Sequence, residues 1–266
     1  MIRIGTSGFS FPDWQGSFYP KWIKPEQFFD YYTRFFDTVE INLTFYALPS
    51  KDFFVSLLKR TRPDFIFTVK APQMLTHELN LSTPIVDKFK SIIEPVVEEN
   101  KLGGILAQFP YTFRVTKDNM NYIKNLRKAF QPIKMFVEFR RADWDRKEVY
   151  DFLNEENIGL VVPDLPQIEG LFKVSKELSQ DISYFRFHGR NKRNWWEGKE
   201  KERYDYDYSE GELKELIEKM KRFDSAEKKV FGFFNNCFLG RAARNALSAL
   251  KMLGIERGER GLFDIG

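Results

Sequence analysis

Short apolar runs rich in Val, Ile and Phe recur along the chain, and longer stretches between them return an apolar residue every three or four positions. The short runs predict strands over 2–6, 38–42, 65–70, 103–108, 134–139, 158–162, 182–187 and 229–234. The longer stretches predict helices over 25–36, 51–60, 84–99, 117–130, 147–156, 209–223 and 240–253. The clearest helical pattern places Leu213, Leu216, Ile217, Met220 and Phe223 on one face, and Ser209 with Glu212 reads as its capping box. Thr83-Pro84 marks a second helix start. The sixth strand is followed only by a Pro- and Gly-containing stretch, 163–180, with a weak helical pattern. Strands in regular β-then-α order pair in parallel through right-handed crossovers. A closed barrel and an open doubly wound sheet both satisfy that order. The count of eight favours the α/β class as a (β/α)8 TIM barrel. The length of 266 residues agrees, since such barrels need roughly 250. No linker, repeat or low-complexity tract divides the chain, so a single domain over 1–266 is expected.

Composition narrows the picture. With 28 Phe residues, much of the core must be aromatic. No run approaches the roughly 18 apolar residues of a membrane span, and the first residues lack the basic-then-apolar plan of a signal peptide. No membrane partner and a cytoplasmic location are therefore expected. Cys237 is the only cysteine, which excludes an intrachain disulfide and a Cys-rich metal site. The 42 basic and 38 acidic residues leave a net charge of +4, which neither demands nor excludes nucleic acid. The abundance of Lys and Glu is of the kind found in thermophile proteins.

Alternation along the strands locates the chemistry. Side chains of a barrel strand point by turns to the lumen and to the helices. In strand two Val39, Ile41 and Leu43 are expected to face the helices, leaving Glu40 and Asn42 in the lumen. The same reasoning directs Glu138 and Arg140, Arg186 and His188, and Lys70 inward, while Gln108 and Asn235-Asn236 close strands four and eight. Polar groups thus gather at the carboxyl ends of several strands, where barrel active sites lie. Buried charges must pair or meet a ligand. An ion-pair network that merely fills the mouth is the competing reading.

The cations are Lys70, Arg140 and Arg186, and the anions Glu40 and Glu138, so the balance leans positive and suits a carboxylate or phosphate. The loop 188–208 adds Arg190, Lys192 and Arg193 beside Trp195 and Trp196, a mixture suited to stacking next to a phosphate. His77 and His188 both lie near strand ends. No nucleotide-binding fingerprint, zinc signature or Ser-His-Asp set is present, and no organic cofactor is indicated. A magnesium or manganese site on Glu40 and Glu138 stays open as a divalent-metal alternative.

The residues Gly5-Thr6-Ser7-Gly8-Phe9, Val39-Glu40-Ile41-Asn42, Phe67-Thr68-Val69-Lys70 with Thr76-His77, Gln108-Phe109-Pro110, Glu138-Phe139-Arg140 with Trp144, Tyr184-Phe185-Arg186-Phe187-His188-Gly189 and Phe234-Asn235-Asn236 run through the whole chain in order. Together they resemble the YecE-like family, a bacterial and archaeal domain of unknown function. The resemblance implies a TIM barrel and no particular reaction. Phe9 departs from it, standing where the family is expected to carry Trp.

The leading expectation is an enzyme acting on an anionic, phosphate-bearing substrate such as a phosphodiester, nucleotide or sugar phosphate. Arg140, Arg186 and Lys70 would hold the anion, and His188 or Glu138 would move protons, with Glu40 and His77 as further catalytic candidates. Glu40, Asn42, Gln108 and Asn235 would orient the substrate or a metal-bound water, and Tyr46, Trp144 and Trp195 would form apolar walls. The alternatives are a non-catalytic nucleic-acid-binding protein using the same basic mouth, and an inert barrel. The oligomeric state is not written in the sequence.

Overall fold

The computed structural model describes residues 1–175, 181–197, 200–224 and 228–255. Its strands are β1 (Ile2–Thr6), β2 (Thr38–Ile41), β3 (Ile66–Lys70), β4 (Leu102–Gln108), β5 (Met135–Glu138), β6 (Gly159–Asp164), β7 (Ile182–Phe187) and β8 (Lys229–Phe234). They pair in parallel in the order β1-β8-β7-β6-β5-β4-β3-β2, which is a TIM-type barrel with one loosely joined seam. The long helices are α1 (Phe28–Phe35), α3 (Lys51–Leu58), α5 (Thr83–Glu98), α6 (Lys117–Phe130), α7 (Lys147–Glu155), α9 (Glu210–Lys221) and α10 (Arg241–Met252). Three one-turn helices escape the periodicity because four residues cannot display a period: α2 (Leu43–Tyr46), α4 (Gln73–Thr76) and α8 (Glu200–Arg203). The expected weak helix after strand six is absent over 165–175, while 176–180 lie outside the described residues. The expected single domain also includes 256–266, which lie outside them too.

The seam lies between β1 and β2. Only the Ser7–Glu40 bridge joins them, with the Gly8 amide donating to the Glu40 carbonyl at 2.8 Å. Tyr32 of α1 fills the rest. Its hydroxyl accepts from the Thr6 amide at 3.0 Å and donates to the Thr38 carbonyl at 3.0 Å, standing in for ladder hydrogen bonds. Gly5 is required here, because a Cβ would sit 2.3 Å from the Thr38 carbonyl oxygen.

The alternation holds. Val39, Ile41, Phe67, Val69, Val137, Phe139, Phe185 and Phe187 are buried in the cluster between sheet and helices. Leu43 does not join them. The strand ends at Ile41, the chain turns into α2, and Leu43 is 46% exposed. In α9 the predicted apolar face is buried, and the Ser209–Glu212 capping box is formed. Inside the barrel Leu106, Phe136, Val161, Tyr184, Phe231 and Phe233 make a separate packed plug. This plug lies beneath the polar groups at the carboxyl end of the lumen.

Candidate functional site

A charged layer lies directly on the plug. Glu40 of β2, Glu138 of β5 and Arg186 of β7 are buried together. Arg186 donates from Nε and Nη2 to the two Glu40 oxygens at 2.9 and 2.7 Å, and from Nη1 to Glu138 Oε2 at 2.6 Å. Tyr184, two residues earlier on the same face of β7, donates to Glu40 Oε2 at 2.7 Å and shares a hydrogen bond with Thr68 at 2.9 Å. Burial alone would lower Arg186, but Glu138 and Glu40 raise it well above its ordinary value. Burial alone would raise Glu138, but Arg140, Arg186 and His188 hold it well below the usual carboxylate range. The ion-pair network considered from sequence therefore exists, and it changes the part given to Arg186. That guanidinium is committed to two carboxylates rather than free for a ligand, although its edge still reaches the cavity above.

His188 belongs to the same buried layer. Its Nδ1 is 2.9 Å from Asn235 Nδ2, which fixes the ring with Nε2 protonated and directed at Glu138. Nε2 comes within 3.1 Å of Glu138 Oε1 without the alignment of a hydrogen bond. Burial, then the charge of Arg140, pulls His188 down to about 3. An imidazole titrating near neutrality was expected here; the buried ring is instead neutral at physiological pH.

Above this layer opens a cavity of about 270 Å³. Lys70 ends β3 and enters it with Nζ 3.7 Å from the centre of the Phe45 ring, a residue contributed by α2. Burial, then the repulsion of Arg186, lowers Lys70 to about 7, against the opposing pull of Glu138 and Glu40. Arg140, just beyond β5, holds Nε 2.9 Å from Glu138 Oε1. Its guanidinium lies 5.8 Å from the centre of the buried Trp195 ring, and Arg203 of α8 lies 5.6 Å from that same ring. Asn42, Gln108, Asn235 and Tyr46 line the cavity as expected, and so does His77. The His77 Nδ1 is 3.0 Å from Thr76 Oγ1, and burial, then Lys70 and Arg140, lowers it to about 4.

Several expected members lie elsewhere. Glu40, Glu138 and His188 sit beneath the cavity rather than on its wall. Trp144 is no wall at all: the short turn Ala142–Trp144 carries it into the helix layer, where it stacks on Phe139 at 4.1 Å and Phe113 at 5.3 Å. Arg190 turns away to chelate Asp164 and meet Glu212 and Glu215, and exposed Lys192 and Arg193 do not line the cavity. Arg203, Phe45, Tyr111 and Tyr204 do line it and were missed. Arg203 follows the strand end by many residues, and only α8 brings it back; the charged and aromatic character of the whole loop was the one available signal.

A magnesium or manganese site on Glu40 and Glu138 does not fit this arrangement. The Arg186 guanidinium stands between the two carboxylates, and no group of three or more His, Cys, Asp or Glu side chains is placed for a metal among the described residues. No helix among those residues is long and apolar enough to cross a membrane. Beside the mouth, the Ser7 Oγ is buried without a hydrogen-bond partner, and burial pushes the Cys237 thiol up.

A family model described as "Protein of unknown function DUF72" matches residues 3–262. The UPF0759 protein YunF of Bacillus subtilis (strain 168) is 32% identical over 273 aligned residues, covering 96% of each chain. The UPF0759 protein YecE of Escherichia coli (strain K12) is 31% identical over 116 residues, or 42% of this chain and 39% of its own. The crystal structure of a DUF72 family protein (TM1631) from Thermotoga maritima MSB8 superimposes with a TM-score of 0.88 at 45% identity, covering 96% of this chain and 99% of that one.

Proposed function

Since the chain belongs to the DUF72 family, whose name carries no reaction, we propose from the chemistry of the mouth that the protein is an enzyme acting on a small phosphate-bearing anion held there. The observation that carries this reading is the sign of the lining. Lys70, Arg140, Arg186 and Arg203 reach the cavity, and no carboxylate does among the described residues. The nearest carboxylates, Glu40 and Glu138, lie beneath and are balanced by Arg186 and Arg140. Lys70 rests against Phe45 and Arg203 against Trp195, and the Arg203 Nε is buried without a hydrogen-bond partner. Cations in a partly enclosed, aromatic-walled site favour an anion strongly, because desolvation strengthens each charge-assisted hydrogen bond.

Lys70 takes the proton-handling part that the sequence suggested for His188 or Glu138. Its amine, lowered to about 7, is present in both protonation states at neutral pH, which is the condition for general acid or base catalysis. Arg140 and Arg203 hold the anion, with Asn42, Gln108 and Asn235 as orienting groups. The volume of about 270 Å³ suits one small phosphate-bearing unit, such as a sugar phosphate.

Calorimetric titration with inorganic phosphate, sugar phosphates and nucleotides tests binding, and a turnover screen of the same panel, with and without divalent metal, tests catalysis. Arg140→Ala should weaken binding about tenfold or more, as loss of a charge-assisted contact does. Lys70→Met should weaken binding similarly and remove turnover. Unchanged affinity in folded variants contradicts the reading. Tight, salt-sensitive binding of nucleic acid with no turnover across the panel would favour the binding-only alternative.

A further inference from the structure

We infer that the ligand of this mouth is a nucleoside monophosphate, with its phosphate among the cations and its base in a second chamber that adjoins them. The inference rests on the anion-binding reading above and adds the other half of the molecule. The second chamber, of about 310 Å³, lies between the segments that follow β1 and β8. It shares Asn42, Tyr46, Tyr204 and Asn235 with the cationic cavity, so one ligand can occupy both.

Its remaining wall has a different character. Phe11 and Phe238 present rings, and Phe11 is held by stacking on the buried Trp14 at 4.8 Å. Flat aromatic surfaces accept a base by stacking, whichever base it is. Asp13 also lines this chamber, its Oδ2 fixed by the Leu239 amide at 2.9 Å. A carboxylate there repels a phosphate, so the anionic end of a ligand is directed to Lys70, Arg140 and Arg203 instead. The same carboxylate is the complement of N–H donors on the edge of a base, guanine above all, with its adjacent ring and exocyclic donors. An aliphatic phosphate would leave Asp13 with the Leu239 amide alone, and a sugar phosphate alone would leave the aromatic chamber empty.

Two polar atoms mark the junction. The Oγ of Ser7, a residue only 1% exposed, and the Oδ1 of Asn42 are both buried without a hydrogen-bond partner. Buried polar atoms are rarely left so. Ser7 lines the second chamber and Asn42 lines both, so the two residues stand where the cavities meet.

The test is calorimetric titration of the full chain at low salt with 5′-GMP, ribose 5-phosphate and inorganic phosphate. GMP should bind about tenfold or more tightly than ribose 5-phosphate, the increment expected of a stacked base. Phe238→Ala should remove that increment while ribose 5-phosphate binds as before. Asp13→Asn, which keeps the shape should Phe238→Ala fail to fold, should reduce GMP binding and leave ribose 5-phosphate at or above its parental affinity. Equal affinities for GMP and ribose 5-phosphate would overturn the base chamber and leave the anion site standing. Failure of all three ligands to bind would overturn both.

Discussion

At the scale of single residues, burial decides which groups can act. Lys70 falls from 10.5 to about 7, so between those values the unfolded chain binds a proton that the folded chain does not. Its contribution therefore opposes folding most fully below about pH 7 and fades as pH rises toward 10.5. Lys70→Met should accordingly raise the melting temperature by several degrees at neutral pH, with a smaller gain near pH 10. Thermal unfolding at the two pH values checks this; equal gains would contradict it. The same amine should give anion binding a matching pH dependence. Sulfate, which does not itself titrate there, should bind more weakly as pH rises through about 7, and pH-independent affinity would count against Lys70. The histidines supply the opposite case. There are only two in the chain, His77 lowered to about 4 and His188 to about 3. Proton NMR should show both ring Cε1–H resonances unmoved from about pH 8 to about pH 5.5. A ring titrating near 6.5 would reopen the role first suggested for it.

At the scale of elements, alternation along each strand made the lumen-facing residues legible, because the side-chain period of two is fixed by the backbone. It could not say which charges meet across the barrel. Glu40 and Glu138 were correctly directed inward, yet their pairing with Arg186 depends on the register of strands far apart in sequence. The cost of breaking that cluster should be large. Glu40→Gln leaves part of the Arg186 charge uncompensated in the interior and should destabilise by about 3–5 kcal/mol in urea unfolding. A change near zero would mean that water reaches the layer. The seam is a gentler test. Tyr32→Phe leaves the buried Thr6 amide without its acceptor and the Thr38 carbonyl without its donor, and should cost about 1–3 kcal/mol. Short elements were the illegible part. The turn Ala142–Trp144 that removes Trp144 from the mouth, and the one-turn helices α2 and α8 that bring Phe45 and Arg203 into it, are too brief to leave a periodic trace.

At the scale of the whole molecule, the fold follows from the eight-fold alternation, and the pocket lies above the packed plug of Leu106, Phe136, Tyr184, Phe231 and Phe233. Gly189, in a left-handed turn with φ of 89° and no room for a Cβ beside Tyr206, sends the chain from β7 into the loop that carries Trp195 and Arg203 over the mouth. The charge of the molecule as a whole says little, since +4 is spread over many residues. What matters is that pairing with Arg186 and Arg140 balances Glu40 and Glu138 beneath, while Lys70 and Arg203 join Arg140 at the cavity wall. The central claim is thus that this mouth selects an anion, and locating one there tests it most directly. Crystals soaked in selenate, a tetrahedral dianion with an anomalous scatterer, should show a selenium peak within hydrogen-bonding reach of Lys70, Arg140 and Arg203. Peaks confined to the outer surface, with none in the mouth, would contradict it.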